Sequence, residues 1–163
     1  MKTLLIVYHS MTGGTEQMVQ AAAEGASDES SLHVKVLRAV DARPDDVLAA
    51  DGYIFATPEN LAAVSGLLKD FFDRTYYAAL DRISGRPYAT LVCAGSDGQN
   101  AVRQIERIAT GWRSKAVAPA LVVCTHAQTP EEILRAKRIE AQDLEKCREM
   151  GAAMAAGIAL GVF

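Results

Sequence analysis

The sequence predicts an α/β fold, a doubly wound five-stranded parallel sheet with helices on both faces. Two observations carry that expectation. Five short apolar runs recur along the 163 residues, and amphipathic stretches at helical spacing separate them. The first run, Thr3 to Tyr8 (TLLIVY), is uninterrupted, as in a strand covered on both faces of a parallel sheet. At ~150 residues per domain, residues 1–163 are expected to form one domain.

The elements follow in order. Glu16 to Glu24 places Met18, Val19, Ala22 and Ala23 on one helical face. Leu32 to Leu37 alternates, as a half-covered edge strand does. Asp45 to Ala50 is at most two helical turns, and Gly52 to Ala56 is the third strand. Val64, Leu67, Leu68, Phe71 and Phe72 form a complete apolar face over Val64 to Thr75. The pairs Lys69–Asp73 and Asp70–Arg74 sit on its outer side. Pro87 to Cys93 is the fourth strand, and Ala101, Ile105, Ile108 and Trp112 mark the next helix. The fifth strand is expected within Ala118 to Thr125. Thr129-Pro130-Glu131-Glu132 is a capping box with proline at the first helical position. Leu144, Cys147, Met150, Gly151 and Met154 continue a helical face, as one helix or two. The small-residue tail from Gly151 to Gly161 is expected to pack tightly on the sheet.

Composition narrows the function classes. The chain is 50% hydrophobic and 23% charged, which suits a globular protein and not a disordered one. With 17 basic and 20 acidic residues there is no excess positive charge for nucleic acid or an anionic membrane. Cys93, Cys124 and Cys147 form no CxxC pair, so neither a disulfide framework nor a zinc site is expected. They read as free thiols of a reducing compartment. The N-terminal apolar run has no small-residue cleavage site and reads as a strand, not a signal peptide. Met150 to Phe163, the longest apolar stretch, falls short of the ~20 residues that span a bilayer. The expectation is a cytoplasmic protein without membrane contact.

Ligands of doubly wound sheets bind beyond the carboxyl ends of the strands. After strand one comes His9-Ser10-Met11-Thr12-Gly13-Gly14-Thr15-Glu16. Three hydroxyls, Ser10, Thr12 and Thr15, line a strand-to-helix turn where backbone N–H groups converge on an anion. Gly13 and Gly14 allow close backbone approach. No Lys or Arg is present, so neutral donors would hold a phosphate monoester. The loop lacks both GK[ST] and G-x-G-x-x-G, so it is neither a P-loop nor a dinucleotide fingerprint.

On these residues the chain resembles the flavodoxin-like superfamily. Ser10-x-Thr12-Gly13-x-Thr15 matches its FMN phosphate loop. Thr57-Pro58-Glu59-Asn60, followed by Ser65 to Arg74, is similar to the second flavin loop and next helix of its NAD(P)H-dependent FMN reductase and quinone oxidoreductase branch. Ala94 to Asn100 is similar to the third loop, and Asp143 to Gly151 to the C-terminal helix. The resemblance implies strand order 2-1-3-4-5. It implies FMN bound by Ser10, Met11, Thr12, Gly13, Gly14 and Thr15 at the phosphate. Thr57, Pro58, Glu59, Asn60 and Leu61 would flank one side of the isoalloxazine, and Ala94, Gly95, Ser96 and Asp97 the other.

The implied activity is hydride transfer from NADH or NADPH through FMN to a small acceptor, a quinone or a flavin, in a homo-oligomer. The flavin performs the redox step, so no catalytic side chain is expected. Electron-carrier flavodoxins usually sandwich the ring between aromatics, whereas the loops here offer no Trp or Tyr. An open ring face suits a nicotinamide or quinone that stacks there. Glu59 and Asp97 would place negative charge beside the flavin and lower its potential, unless they are simply solvated. Tyr76, Tyr77 and Trp112 are the aromatics near the relevant edges, with core or surface packing the commoner role. The alternative is a non-enzymatic electron carrier that docks a redox protein.

Other readings carry less. Ala94-Gly95-Ser96-Asp97-Gly98 is a near-match to a nucleophile elbow, but its first glycine is missing. His126 lies at the ligand edge, where a loop-bonding role is commoner than proton transfer. His9, His33 and His126 are too scattered for a metal site.

Overall fold

Seven strands and six helices follow one another along the chain in a computed structural model that describes all 163 residues. They are β1 (Lys2–Tyr8), α1 (Gly14–Ser27), β2 (Leu32–Arg38), α2 (Pro44–Ala49), β3 (Gly52–Asn60), β4 (Ala63–Val64) and α3 (Gly66–Ala79). Then come β5 (Pro87–Ala94), α4 (Gln99–Gly111), β6 (Lys115–Ala116), β7 (Leu121–Cys124), α5 (Pro130–Leu134) and α6 (Ala141–Leu160).

The long strands lie in the order β2-β1-β3-β5, all parallel, and every residue of β5 is buried. The fifth place is shared. β6 pairs with β5 at Pro87–Tyr88, and β7 pairs with it at Leu91–Ala94. Counting β6 and β7 as one broken strand restores the expected order 2-1-3-4-5. The break has a local cause. Residues 117–120 (Val-Ala-Pro-Ala) stand opposite only Ala89 and Thr90, and Pro119 has no N–H for the ladder. The regular strand therefore starts at Leu121 and not at Ala118.

Two helix boundaries also move. Val64 belongs to β4, and Ser65 caps α3 by accepting a bond from the Leu68 N–H at 3.4 Å. The C-terminal region is two helices, because the chain is non-helical between Leu134 and Ala141.

The two faces of the sheet are packed differently. On one, α1 and α6 cover a core of small and aliphatic residues such as Met18, Ala22, Ala26, Met154 and Ala155. These helices touch backbone to backbone. A Cβ at Gly151 would collide with the Ala22 carbonyl, and one at Gly25 with the Arg148 carbonyl. The tail thus packs on α1 as well as on the sheet. On the other face, Tyr53, Phe55, Phe71, Phe72, Tyr88 and Trp112 form an aromatic core under α2, α3 and α4. Phe55 sits at its centre, with ring centroids of Tyr53, Phe72 and Trp112 at 5.6, 5.1 and 6.2 Å. Trp112 is fully buried and donates from Nε1 to the Tyr76 carbonyl at 2.9 Å, while Tyr77 is exposed. No helix is long and apolar enough to cross a membrane.

Candidate functional site

A cavity of about 600 Å³ opens at the carboxyl ends of β1, β3, β5 and β7. Its size suits a small-molecule ligand. Twelve of the fifteen residues expected at the site line it: Ser10, Met11, Thr12, Gly14 and Thr15 from the first loop, Pro58 to Leu61 from the second, and Ala94 to Ser96 from the third. Gly13, Thr57 and Asp97 do not reach its wall.

The first loop is a surface of free donors. The backbone N–H groups of Ser10, Met11, Thr12, Gly14 and Thr15 make no hydrogen bond within the chain. All five residues line the cavity. The Thr15 hydroxyl is buried and likewise without a partner. Ser10 Oγ accepts from the N–H groups of Gly13 and Glu16, both at 3.2 Å, which leaves its own proton to donate. Gly14 and Thr15 are buried, where a donor left unpaired is costly, so this arrangement fits an oxyanion with several acceptor oxygens. Gly13 makes the turn at φ +91°, a left-handed conformation that an L side chain strains.

Beneath the loop lies Cys93. A Cβ on Gly14 would stand 2.6 Å from Cys93 Sγ, so only glycine fits there. Burial pushes the Cys93 thiol up to about 11, with Lys137 opposing and Cys124 adding to the rise. The floor of the anion site is therefore a neutral thiol at physiological pH.

The second loop is a two-residue hairpin joining β3 to β4, with Glu59 opposite Val64 and Asn60 opposite Ala63. Its central residues, Leu61 (φ 49°) and Ala62 (φ 60°), are both left-handed without being glycine. Side chains hold it there. Asn100 Nδ2 donates to the Ala62 carbonyl at 2.6 Å, and Gln104 Oε1 accepts from the Val64 N–H at 2.7 Å. Thr57 acts behind the loop. Fully buried, its Oγ1 donates to the Pro58 carbonyl at 2.8 Å and accepts from the Ser65 N–H at 3.0 Å. Leu61 is fully exposed at the tip, and Glu59 Oε2 is buried with no partner.

A fourth segment, of which the sequence points only to His126, completes the wall. Thr125, Ala127, Gln128, Ile133 and Lys137 also line the cavity, as do Ala62 and Cys93. The signal available was the fifth strand itself, whose end must lie on the same edge of the sheet. His126 stays off the cavity wall. Its backbone N–H donates to the Gly95 carbonyl at 2.8 Å and joins the third loop to the fourth. Tyr76, Tyr77 and Trp112 contribute nothing to the wall.

Comparison with known proteins points the same way. Residues 1–129 match the family model described as NADPH-dependent FMN reductase. A protein of Acidithiobacillus ferrooxidans named NAD(P)H dehydrogenase (quinone) is 36% identical over a stretch covering 46% of this chain and 48% of that protein. A flavodoxin of Aquifex aeolicus is 33% identical, over 59% of this chain and 50% of its own length. The chain thus spans about half the length of these curated relatives. An archaeal flavodoxin structure superposes with a TM-score of 0.78 at 18% identity, covering 96% of this chain and 98% of that one, a likeness of fold.

Proposed function

The chain belongs to the NADPH-dependent FMN reductase family, and from that premise we propose that it binds FMN in this cavity and passes hydride from NADH or NADPH to a small acceptor such as a quinone or a flavin. One observation carries the reading: five unpaired backbone N–H groups and an unpaired Thr15 hydroxyl meet at one end of the cavity. That set fits the phosphate of FMN, a dianion that accepts several bonds and needs no counter-ion when the donors are charge-assisted.

FMN held there would supply the hydride-transfer chemistry. The protein's part is to bind, orient and shield. Ser10, Met11, Thr12, Gly14 and Thr15 would hold the phosphate. Pro58, Leu61 and Ala94 offer an apolar wall to a planar ring. The buried, unpartnered Glu59 Oε2 offers an acceptor to a ring N–H at the same wall. No aromatic side chain closes the cavity, which leaves a face for the nicotinamide and then the acceptor to occupy in turn. Exposed Leu61 and Ile133 of the cavity wall support a homo-oligomer in which a second copy covers that side.

An anaerobic absorbance titration of FMN-reconstituted protein with NADH and NADPH tests the reading. Bleaching of the visible flavin band, reversed by a quinone, is the expected result. Tight FMN binding without bleaching by either nucleotide would replace the enzyme with an electron carrier. Failure to bind FMN would remove the reading altogether.

A further inference from the structure

A single side chain of α1 ties the fourth loop to the first. Gln17 lies one helical turn beyond Gly13. Its Nε2 donates to the carbonyls of Gly13 and Lys137, both at 2.8 Å, and its Oε1 accepts from the Ile139 N–H at 3.1 Å. Next to it, the Lys137 N–H donates to the Thr12 carbonyl at 2.9 Å. Three hydrogen bonds thus join residues 137–139 to residues 12–17, which are more than 110 positions away in sequence.

The geometry has a direct effect on the donor surface. In a trans peptide the C=O and N–H point in opposite directions. The Gly13 carbonyl is held by Gln17 Nε2 and by the Gln17 backbone N–H at 3.2 Å. The N–H of the same peptide, that of Gly14, must therefore point away from Gln17, and it is one of the five unpaired cavity donors. The same amide also anchors the far side of the cavity. Ile133 and Gln128 of the fourth loop line the wall. Lys137 Nζ closes the end of α5 by donating to the carbonyls of Glu132, Ile133 and Arg135 at 2.9, 2.7 and 2.6 Å.

We propose that Gln17 is a positioning residue for phosphate-bearing ligands: it aims the Gly14 N–H and latches residues 125–139 over the cavity, without touching the ligand. The proposal rests on the FMN reading above. It makes the phosphate part of FMN, and not the ring, the part that depends on Gln17.

The test compares FMN with riboflavin, which has the same ring and no phosphate. Dissociation constants come from flavin fluorescence quenching, and hydrogen exchange of residues 125–139 is followed in the same proteins without ligand. Gln17→Leu keeps the bulk and removes every hydrogen bond. It is expected to weaken FMN about tenfold more than riboflavin and to speed exchange in residues 125–139 while α4 is unchanged. Gln17→Glu, which retains the acceptor for Ile139 N–H but turns a carboxylate on two carbonyls, serves if Gln17→Leu does not fold. It is expected to lower the same ratio. Glu132→Gln, off the cavity wall, weakens the start of α5 and leaves the bonds of Gln17 in place, so the FMN-to-riboflavin ratio should stay at the wild-type value. Equal weakening of the two ligands, unchanged exchange in residues 125–139, or a Glu132→Gln ratio as low as that of Gln17→Leu would each overturn the proposal. Wild-type protein with no preference for FMN over riboflavin would instead overturn the phosphate reading on which it stands.

Discussion

The first and second loops of the cavity use backbone strain in opposite ways. At Gly13 the chain turns left-handed where glycine makes that turn without strain, and no side chain intrudes among the donors. At Leu61 and Ala62 it turns left-handed twice with side chains present, and Asn100, Gln104, Thr57 and Ser65 hold the turn in place. The difference teaches what each loop presents. The first offers bare backbone to an anion, so a side chain there is an obstruction. The second offers a side chain, Leu61, to an apolar surface, so the strain is tolerated to keep it outward.

Three substitution or titration experiments sharpen that contrast. The largest effect is expected for Thr15→Val, which removes one donor to a charged group and keeps the shape. FMN affinity should fall by about 10- to 100-fold, from the ~1.5–3 kcal/mol of such a bond, with riboflavin nearly unaffected. Calorimetric binding of both ligands checks it, and equal losses would mean that Thr15 supports the fold and not the phosphate.

The second experiment exchanges the strategies of the two loops. Gly13→Ala should destabilise the protein by ~1–2 kcal/mol, the cost of a left-handed L-residue, whereas Ala62→Gly should stabilise it by about 1 kcal/mol through relief of the same cost. Urea unfolding of the two variants should shift the midpoint in opposite directions. Shifts of the same sign would erase the contrast.

The sequence made the first loop legible for the reason the second was not. Glycines and hydroxyls between a strand and a helix are a local signal, and the donors they expose are consecutive in the chain. A tight hairpin at Leu61-Ala62 carries no such signal, since turns of this kind are normally written with Asn or Gly. Its stability comes from Asn100 and Gln104, forty residues away. Thr57 was read as a ligand contact because it ends a strand at the binding edge, but its buried hydroxyl serves the loop behind that edge. The fourth loop was missed because its attachment through Gln17 and Lys137 is entirely long-range. Among the strands, the five apolar runs mark the parallel order, whereas the extension of β3 to Asn60, the short β4 and the break at Pro119 need three dimensions to see.

The smallest effect concerns pH and the fourth loop. The Glu132 carboxylate accepts from the N–H groups of Gln128 and Thr129 at 2.9 and 3.1 Å, and these bonds hold its pKa below the ordinary 4.5. Its contribution is present above pH 4.5 and fades as the pH falls through the lowered value. Relative to the intrinsic rate at each pH, residues 128–134 should therefore lose protection against amide exchange below that window, while the hydrogen-bonded amides of α1 keep theirs. Parallel loosening of both would show that the fourth loop and α1 open as one unit.

The contact between α1 and α6 gives the site a hidden address. α1 carries the donor loop at its N-terminus, and Gly25 near its other end sits against the Arg148 carbonyl, roughly 16 Å along the axis at 1.5 Å per residue. Gly151 meets the same helix at Ala22. A methyl group added at either glycine would push α1 as a rod, and the displacement would arrive at Gly14, already wedged against Cys93. Inherited loss of cofactor in such a chain need leave no mark on the loop proposed to hold it. A survey of variants confined to Ser10 through Thr15 would pass over lesions written in the last helix.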